Sequence, residues 1–240
     1  MLIMRAFQIT ILIYVVAAVL PAFILLRYIY RNDTVEREPL GLLLKLLLMG
    51  VLSALCAGVV EGLAEPLLGM LVPRGSLLYT ILLAFVVVAA VEEGAKFFFL
   101  KRSTWLDPNF NYRFDGIVYA VFVSLGFAAF ENIRYVFAYG LSTALVRAIT
   151  AVPGHMSFAV FMGLFYGRAK VCENIGRPAR AGWNNWRGYL TAVLIHGFYD
   201  ACAMIGTPVA MVIFVVFIVV LFLRVFRLVK REAATDSPVY

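Results

Sequence analysis

The sequence predicts an all-α, polytopic membrane helix bundle with about seven transmembrane helices. Three observations predict it. Hydrophobic residues make up 63% of the 240 positions and charged residues 15%, against roughly 45–50% and about 25% in soluble domains. The apolar residues fall into seven runs, each near the ~20 residues that cross a bilayer. Basic residues gather between alternate runs. This composition excludes an ordinary soluble domain and a disordered chain. A net charge of +7 would suggest nucleic acid for a soluble protein. Here the positive residues flank apolar spans and read as orientation signals, so the expected surroundings are the lipid bilayer and no nucleic acid.

The spans are expected at 7–27, 42–63, 77–100, 115–139, 145–168, 188–206 and 208–229. The first is preceded by Arg5 alone and followed by Arg27, Arg31 and Arg37. It is longer than a signal-peptide core and reads as an uncleaved helix. The second leads into a connection whose only basic residue is Arg74. The third ends in a loop with Lys101, Arg102 and Arg113, and the fourth in the uncharged stretch 140–144. The fifth is followed by Arg168, Lys170, Arg177, Arg180 and Arg187. The sixth and seventh nearly touch, and Arg224, Arg227, Lys230 and Arg231 follow. Odd-numbered spans therefore end in the cytoplasm, with the N-terminus outside and the C-terminus inside. Trp183 and Trp186 read as interfacial anchors. Gly163 and Gly167, four apart, can seat a close helix. Residues 1–231 form one membrane domain, and 232–240 a short frayed tail. Cys56 and Cys202 read as small buried hydrophobes, and without a CxxC no thiolate metal or redox site is expected.

Ionisable groups within spans cost about 2.5–3.5 kcal/mol each at mid-bilayer, so they persist where they pair, meet water or do chemistry. Glu92, Glu93 and Lys96 lie in the third span, with the lysine at i+4 and i+3 from the acids. One carboxylate can pair with Lys96 while the other stays free as a general base. The bland alternative is a salt bridge snorkelling to the interface. Glu131 and Asn132 lie in the fourth span, where a local pair with Arg134 is the alternative. His155 follows Pro153-Gly154, which loosens the helix; it reads as a ligand or as a hydrogen-bonded structural histidine. His196 and Asp200 share a helix face at i, i+4, as an oriented imidazole, a metal site or a structural pair. Together these imidazoles and carboxylates are the ligands and bases of a hydrolytic metal centre. Glu61 and Arg147 lie near span ends and read as interfacial. At about 1.5 Å per residue, Glu93 and His196 share a level in the cytoplasmic half. His155 lies nearer the midplane, and Glu131 sits too far out to join them unless its helix starts below the membrane or tilts.

Absent motifs narrow the chemistry. The sequence has no His-Glu-x-x-His, Gly-x-Ser-x-Gly or Gly-x-Gly-Asp, which disfavours the usual zinc-peptidase helix and serine or paired-aspartate proteases. A transporter or channel would need a polar path across the whole bilayer, whereas the polar groups concentrate in one half. A non-catalytic scaffold has no reason to keep both the histidine and the glutamate motifs.

The ordered set Glu-Glu-Gly-Ala-Lys at 92–96, Asp-Gly-Ile-Val-Tyr at 115–119, Gly-Phe-Ala-Ala-Phe-Glu-Asn-Ile-Arg-Tyr at 126–135, His155 and His-Gly-Phe-Tyr-Asp at 196–200 resembles the PrsW family of membrane proteases. That family resembles in turn the larger group of CAAX-processing and bacteriocin-processing proteases. The polar loop with Glu38-Pro39 is similar to the family's first loop. The resemblance implies an intramembrane endopeptidase of the bacterial cytoplasmic membrane. It implies a single-pass substrate such as an anti-sigma factor, whose cleavage leads to release of a sigma factor in a stress response. It implies Glu92, Glu93 and His196 as catalytic residues, a Zn2+ ion held among His155, His196, Asp200 and Glu131, and Lys96 and Asn132 in support. The wider group has Phe-x-x-x-His where this chain has Phe127-x-x-x-Glu131, which leaves His155 to supply the second histidine. Helices three to six would then form a wet cavity. A first cleavage of an anti-sigma factor is expected on the outer side, in conflict with the inner-half level assigned to Glu93 and His196.

Overall fold

The computed structural model describes residues 2–240, apart from the side chains of Leu2, Ile3 and Ala6; Met1, the first residue of the expected domain, lies outside it. Among the described residues, seven rods are long and apolar enough to cross a membrane. They are built from nine α-helices and one π-helical segment. α1 spans Leu2–Asn32 and α2 Leu40–Leu71. The third rod joins α3 (Leu77–Leu82), a π-helical segment (Leu83–Ala89) and α4 (Ala90–Thr104). α5 spans Asp115–Tyr139. The fifth rod is broken at Thr150 into α6 (Leu141–Ile149) and α7 (Ala151–Asn174). α8 (Pro178–Ile205) and α9 (Pro208–Ala234) complete the bundle.

Local chemistry sets the boundaries. The Ser76 hydroxyl accepts from Tyr79 N–H and opens α3, and Thr207 does the same for α9 through Ala210 N–H. Both use the oxygen of an N-cap to satisfy a helical donor that has no partner in its own helix. Pro178 and Pro208 stand at helix starts, where a missing N–H costs nothing. Gly140 and Gly206 adopt φ of 89° and 62°, closing α5 and α8 in a conformation that favours glycine.

α5 is the axle of the bundle. Every residue from Asp115 to Ala128 is buried, as befits a helix that is apolar on all sides. It approaches α7 at backbone contact. A Cβ added to Gly163 would stand 2.6 Å from Ile117 Cα, and one on Gly116 2.6 Å from Gly167 N. The close seat expected at Gly163 and Gly167 is thus the α5 crossing. α1, α2 and α9 turn large side chains outward, among them Leu20, Leu44, Leu48, Val212 and Val216; in a bilayer these meet lipid. Cys56 belongs to this outer surface and not to the core, whereas Cys202 is buried.

The polar loops meet at one end of the bundle. Asn111 Nδ2 donates to Glu36 at 3.0 Å, Lys170 Nζ to Trp105 O at 2.7 Å, and Arg113 N–H to Ser237 O at 3.0 Å. The C-terminal residues, expected to fray, are docked instead. Tyr112 bridges Pro238, Asp236 accepts from Phe114 N–H, and Val239 is 1% exposed. Backbone pairing to the 105–114 loop outweighs the freedom of a polar tail. Asp33 and Glu38 are buried in the same layer. Burial pushes their carboxyls up, Asp33 to about 6 and Glu38 to about 7.

Two boundary shifts matter for function. α8 begins at Pro178, ten residues before the expected start of the sixth span, so Trp183 and Trp186 are exposed residues of its first turns. The fifth rod starts at Leu141 and carries a break at Thr150.

Candidate active site

Glu92 and Glu93 open α4 directly after the π-helical turn. Such a turn locally widens a helix and is frequent at functional sites. Both acids are buried, with Lys96 one turn on. Lys96 Nζ donates to Glu92 Oε2 at 2.9 Å and to Glu93 Oε1 at 2.8 Å, so the ammonium serves both carboxylates and not one. It also lies 3.2 Å from His155 Nδ1 and 3.8 Å above the Phe127 ring. An ammonium has only donors, so His155 Nδ1 accepts and its Nε2–H is left to donate. Its partner is Glu131 Oε2, at 3.0 Å. The lysine thereby fixes the tautomer of the histidine.

His196 reaches Glu93 across the α4–α8 packing. Its Nδ1 lies 2.9 Å from Glu93 Oε1 and its Nε2 3.2 Å from Asp200 Oδ2. Two ionised carboxylates can only accept, so both ring nitrogens donate at once when the imidazole is protonated. Phe158 stacks on the ring, with centroids 4.6 Å apart and planes at 18°. The residue after the histidine permits this geometry. A Cβ on Gly197 would collide with the Phe85 ring of the π-helical segment, so only glycine lets α8 lie this close to the third rod.

Glu131, judged too distant from sequence depth, belongs to the cluster. The early start of α8 places His196 in the half of that helix nearer the end of the bundle that carries connections 72–76, 140 and 206–207. His196 stands nine residues from the end of α8 and Glu131 eight from the end of α5. Both are therefore about 12–14 Å from that end. Glu93, eleven residues from Thr104 and sixteen from Leu77, meets them from the middle of its own rod. Glu131 pairs with Arg147 NH2 at 2.7 Å and not with Arg134. Arg147 Nε donates to Asn132 Oδ1 at 2.8 Å, and Asn132 Nδ2 to Ala18 O of α1 at 2.7 Å.

These groups border a cavity of about 470 Å3. Glu92, Glu131, His155, His196 and Asp200 line it, joined by Glu61, Tyr135, Arg147 and Tyr199. Glu93 and Lys96 stand behind the wall, 0% and 2% exposed. Six spans contribute, the second through the seventh, where the third to sixth were expected. Glu61 and Arg147, read as interfacial, are cavity residues. The signal for Arg147 was a lone cation in the otherwise uncharged helix Leu141–Ile149; for Glu61 it was an acid among apolar residues four positions from its nearest charged neighbour, Glu65.

Among the described residues, one group of three His, Cys, Asp or Glu side chains has ligand atoms close enough to share a metal ion. It comprises Glu92, Glu93 and His155, all within 4.8 Å of one another. Only His155 is common to this group and the expected set of His155, His196, Asp200 and Glu131. Two anionic oxygens and an imidazole suit a divalent ion such as zinc. Glu93 Oε2 is buried without a partner, an acceptor that a cation would satisfy. The residues fit such a group in place of the Lys96 ammonium, which lies 2.8–3.2 Å from the same three side chains.

No solved structure matches this chain. Proteins named Protease PrsW do. The one from Geobacillus kaustophilus is 35% identical over 77% of this chain and 76% of its own length. That from Halalkalibacterium halodurans is 33% identical over 92% and 97%, and that from Bacillus subtilis 32% over 77% and 79%. The family described as PrsW family intramembrane metalloprotease matches residues 38–225, a stretch that runs from the first polar loop into α9 and contains every cavity residue named above. The chain belongs to the PrsW family of intramembrane proteases.

Proposed function

We propose that this protease hydrolyses a peptide bond of a membrane-anchored protein inside the cavity, with Glu92 as general base. One observation carries the choice. Glu92 lines the cavity, whereas Glu93 Oε1 is engaged by both Lys96 and His196. Glu92 gives one oxygen to Lys96 and keeps the other to take a proton from the attacking water. Glu93 and Asp200 hold the His196 ring from its two nitrogens. In its protonated form that ring places a positive charge beside the oxyanion that develops as the carbonyl is attacked, and Glu92 hands the proton it took from water to the leaving amine. His155, its tautomer set by Lys96, holds Glu131 in place at the cavity wall. The substrate segment must unwind to present a carbonyl, because helical hydrogen bonds shield it. Glu92, Glu93 and His155 would hold a zinc ion if the Lys96 ammonium gave up its place among them; such an ion polarises a carbonyl and makes water more acidic.

The finer reading is a first cleavage of a single-pass anti-sigma factor in the bacterial cytoplasmic membrane, with the N-terminus outside. The basic loops at one end of the bundle, with Glu61, Glu131 and His196 toward the other, support it. The paired glutamates and the His-x-x-x-Asp stretch support a grouping with CAAX-processing and bacteriocin-processing proteases. Reporters fused at Leu2 and Tyr240 test the topology, and a cytoplasmic signal from Leu2 overturns it. Metal analysis of purified protein, before and after a chelator, tests zinc. Activity is tested by comparing the N-termini of membrane proteins from cells carrying wild-type, Glu92→Gln or His196→Ala protein. Termini present only with wild type support the reading; identical sets refute it.

A further inference from the structure

The cavity holds one carboxylate that the chemistry above does not use. Glu61 projects from α2, and its Oε1 is buried without a hydrogen-bond partner. Among the described residues no cation forms an ion pair with it within 4.0 Å. Arg147 is committed to Glu131 and Asn132, and Lys96 to Glu92, Glu93 and His155. Arg134 stands over Gly58, with its NH1 3.5 Å from where a Cβ there would be, yet makes no bond to Glu61. The other acids of the cavity are satisfied: Glu92 by Lys96, Glu131 by Arg147 and His155, Asp200 by His196. An unpaired acid at membrane depth is costly, so its persistence calls for a partner that arrives from outside the chain.

The surroundings say what that partner is. Four acids and a single arginine line the cavity, so a cation is favoured there and an anion is not. On the face of α2 that carries Glu61, Ala64 and Leu68 stand one and two turns on, both half-buried. An extended segment can lie along this face with its apolar side chains against α2. Lys and Arg carry long apolar stems that can cross such a surface and deliver a charge to a buried acid, and a charge-assisted pair in a dry pocket is strong.

We infer that Glu61 is a specificity residue that receives a lysine or arginine side chain of the membrane protein being cleaved, close to the scissile bond. This rests on the reading of the cavity as the site of proteolysis. Glu61 does not act on the reacting atoms, so its loss changes which bonds are cut and not whether bonds are cut.

The experiment compares membrane-protein N-termini in cells carrying wild-type, Glu92→Gln, Glu61→Gln and Glu61→Lys protein at matched abundance. Termini made by wild type and missing with Glu92→Gln define the cleavage sites. The expected sites carry Lys or Arg within about four residues of the cut, the reach of an extended segment across the cavity. Glu61→Gln lowers cleavage there about tenfold and spares sites without a basic residue. Exchanging that basic residue for Glu in one cleaved protein restores cleavage by Glu61→Lys. The inference is overturned if sites show no basic preference, if Glu61→Gln cuts the same sites at the wild-type rate, or if Glu61→Gln abolishes all cleavage alike. Identical termini in wild type and Glu92→Gln strike the Glu92 reading instead, and this inference falls with it.

Discussion

Glu93 Oε1 lies 2.9 Å from His196 Nδ1, a contact that joins α4 to α8 across 103 positions of sequence. On the proposed mechanism, Glu93 positions the imidazole and Glu92 faces the substrate. The two adjacent glutamates therefore differ in what their loss does. Glu92→Gln is expected to lower the cleavage rate by about 10²-fold or more, the usual worth of a general base. Glu93→Gln is expected to cost about 10–100-fold by releasing the imidazole it orients. Single-turnover rates on one cleaved substrate check this. Equal residual rates in the two variants would remove the division of roles.

Arg147 connects α6 to α5 through Glu131 and Asn132, and its guanidinium lies 4.0 Å over the Tyr135 ring. Arg147→Ala leaves Glu131 facing only His155. The expected loss is about 3 kcal/mol of stability, read as a lower melting temperature in detergent. Arg147→Lys restores little of it, because a lysine ammonium cannot reproduce the two-pronged fork to Asn132 and Glu131.

Gly197 has no room for a side chain against Phe85. Gly197→Ala is expected to push α8 from the third rod, costing about 1–3 kcal/mol and most of the activity through the Glu93–His196 contact. Gly62→Ala is the control, since a Cβ there meets nothing within 4 Å. Thermal melts and cleavage rates of both variants give the comparison.

The loop between α1 and α2 carries a pH dependence. Burial raises the Glu38 carboxyl from 4.5 to about 7 and that of Asp33 from 3.8 to about 6. A raised acid binds more protons folded than unfolded, so stability falls as pH rises through that window. Amides of this loop are expected to be better protected from hydrogen exchange at pH 5 than at pH 8. Glu38→Gln, a neutral mimic of the protonated acid, should flatten much of that difference. A loop equally protected at both pH values would show that these carboxyls titrate normally.

The chemical parts of the site could be read from the chain. Glu92, Glu93, His155, His196 and Asp200 stand out because lipid tolerates few such groups, and each of them borders the cavity or braces its wall. Depth could not be read. A rise of 1.5 Å per residue converts to depth only when the helix start is known. The start of α8 was hidden because Pro178 to Arg187 is polar yet helical, its first turns extending beyond the apolar stretch. Arg147 and Glu61 were missed for the same reason: distance from an assumed span end stood in for direction around the helix axis.

The sequence by itself determined that this is a helical membrane protein with a hydrolytic set of side chains. Hydrophobic length and the cost of charge in lipid are local properties, each written in a run of about twenty residues. Only the tertiary structure decided which oxygen meets which nitrogen. Lys96 bridges Glu92, Glu93 and His155, Arg147 holds Glu131, and Glu61 Oε1 is left without a partner among the described residues. These relations depend on rotation and close approach between rods far apart in sequence. Glycine contacts at the α5–α7 and α8–Phe85 crossings set that approach, because helix backbones can draw together only where no side chain stands between them.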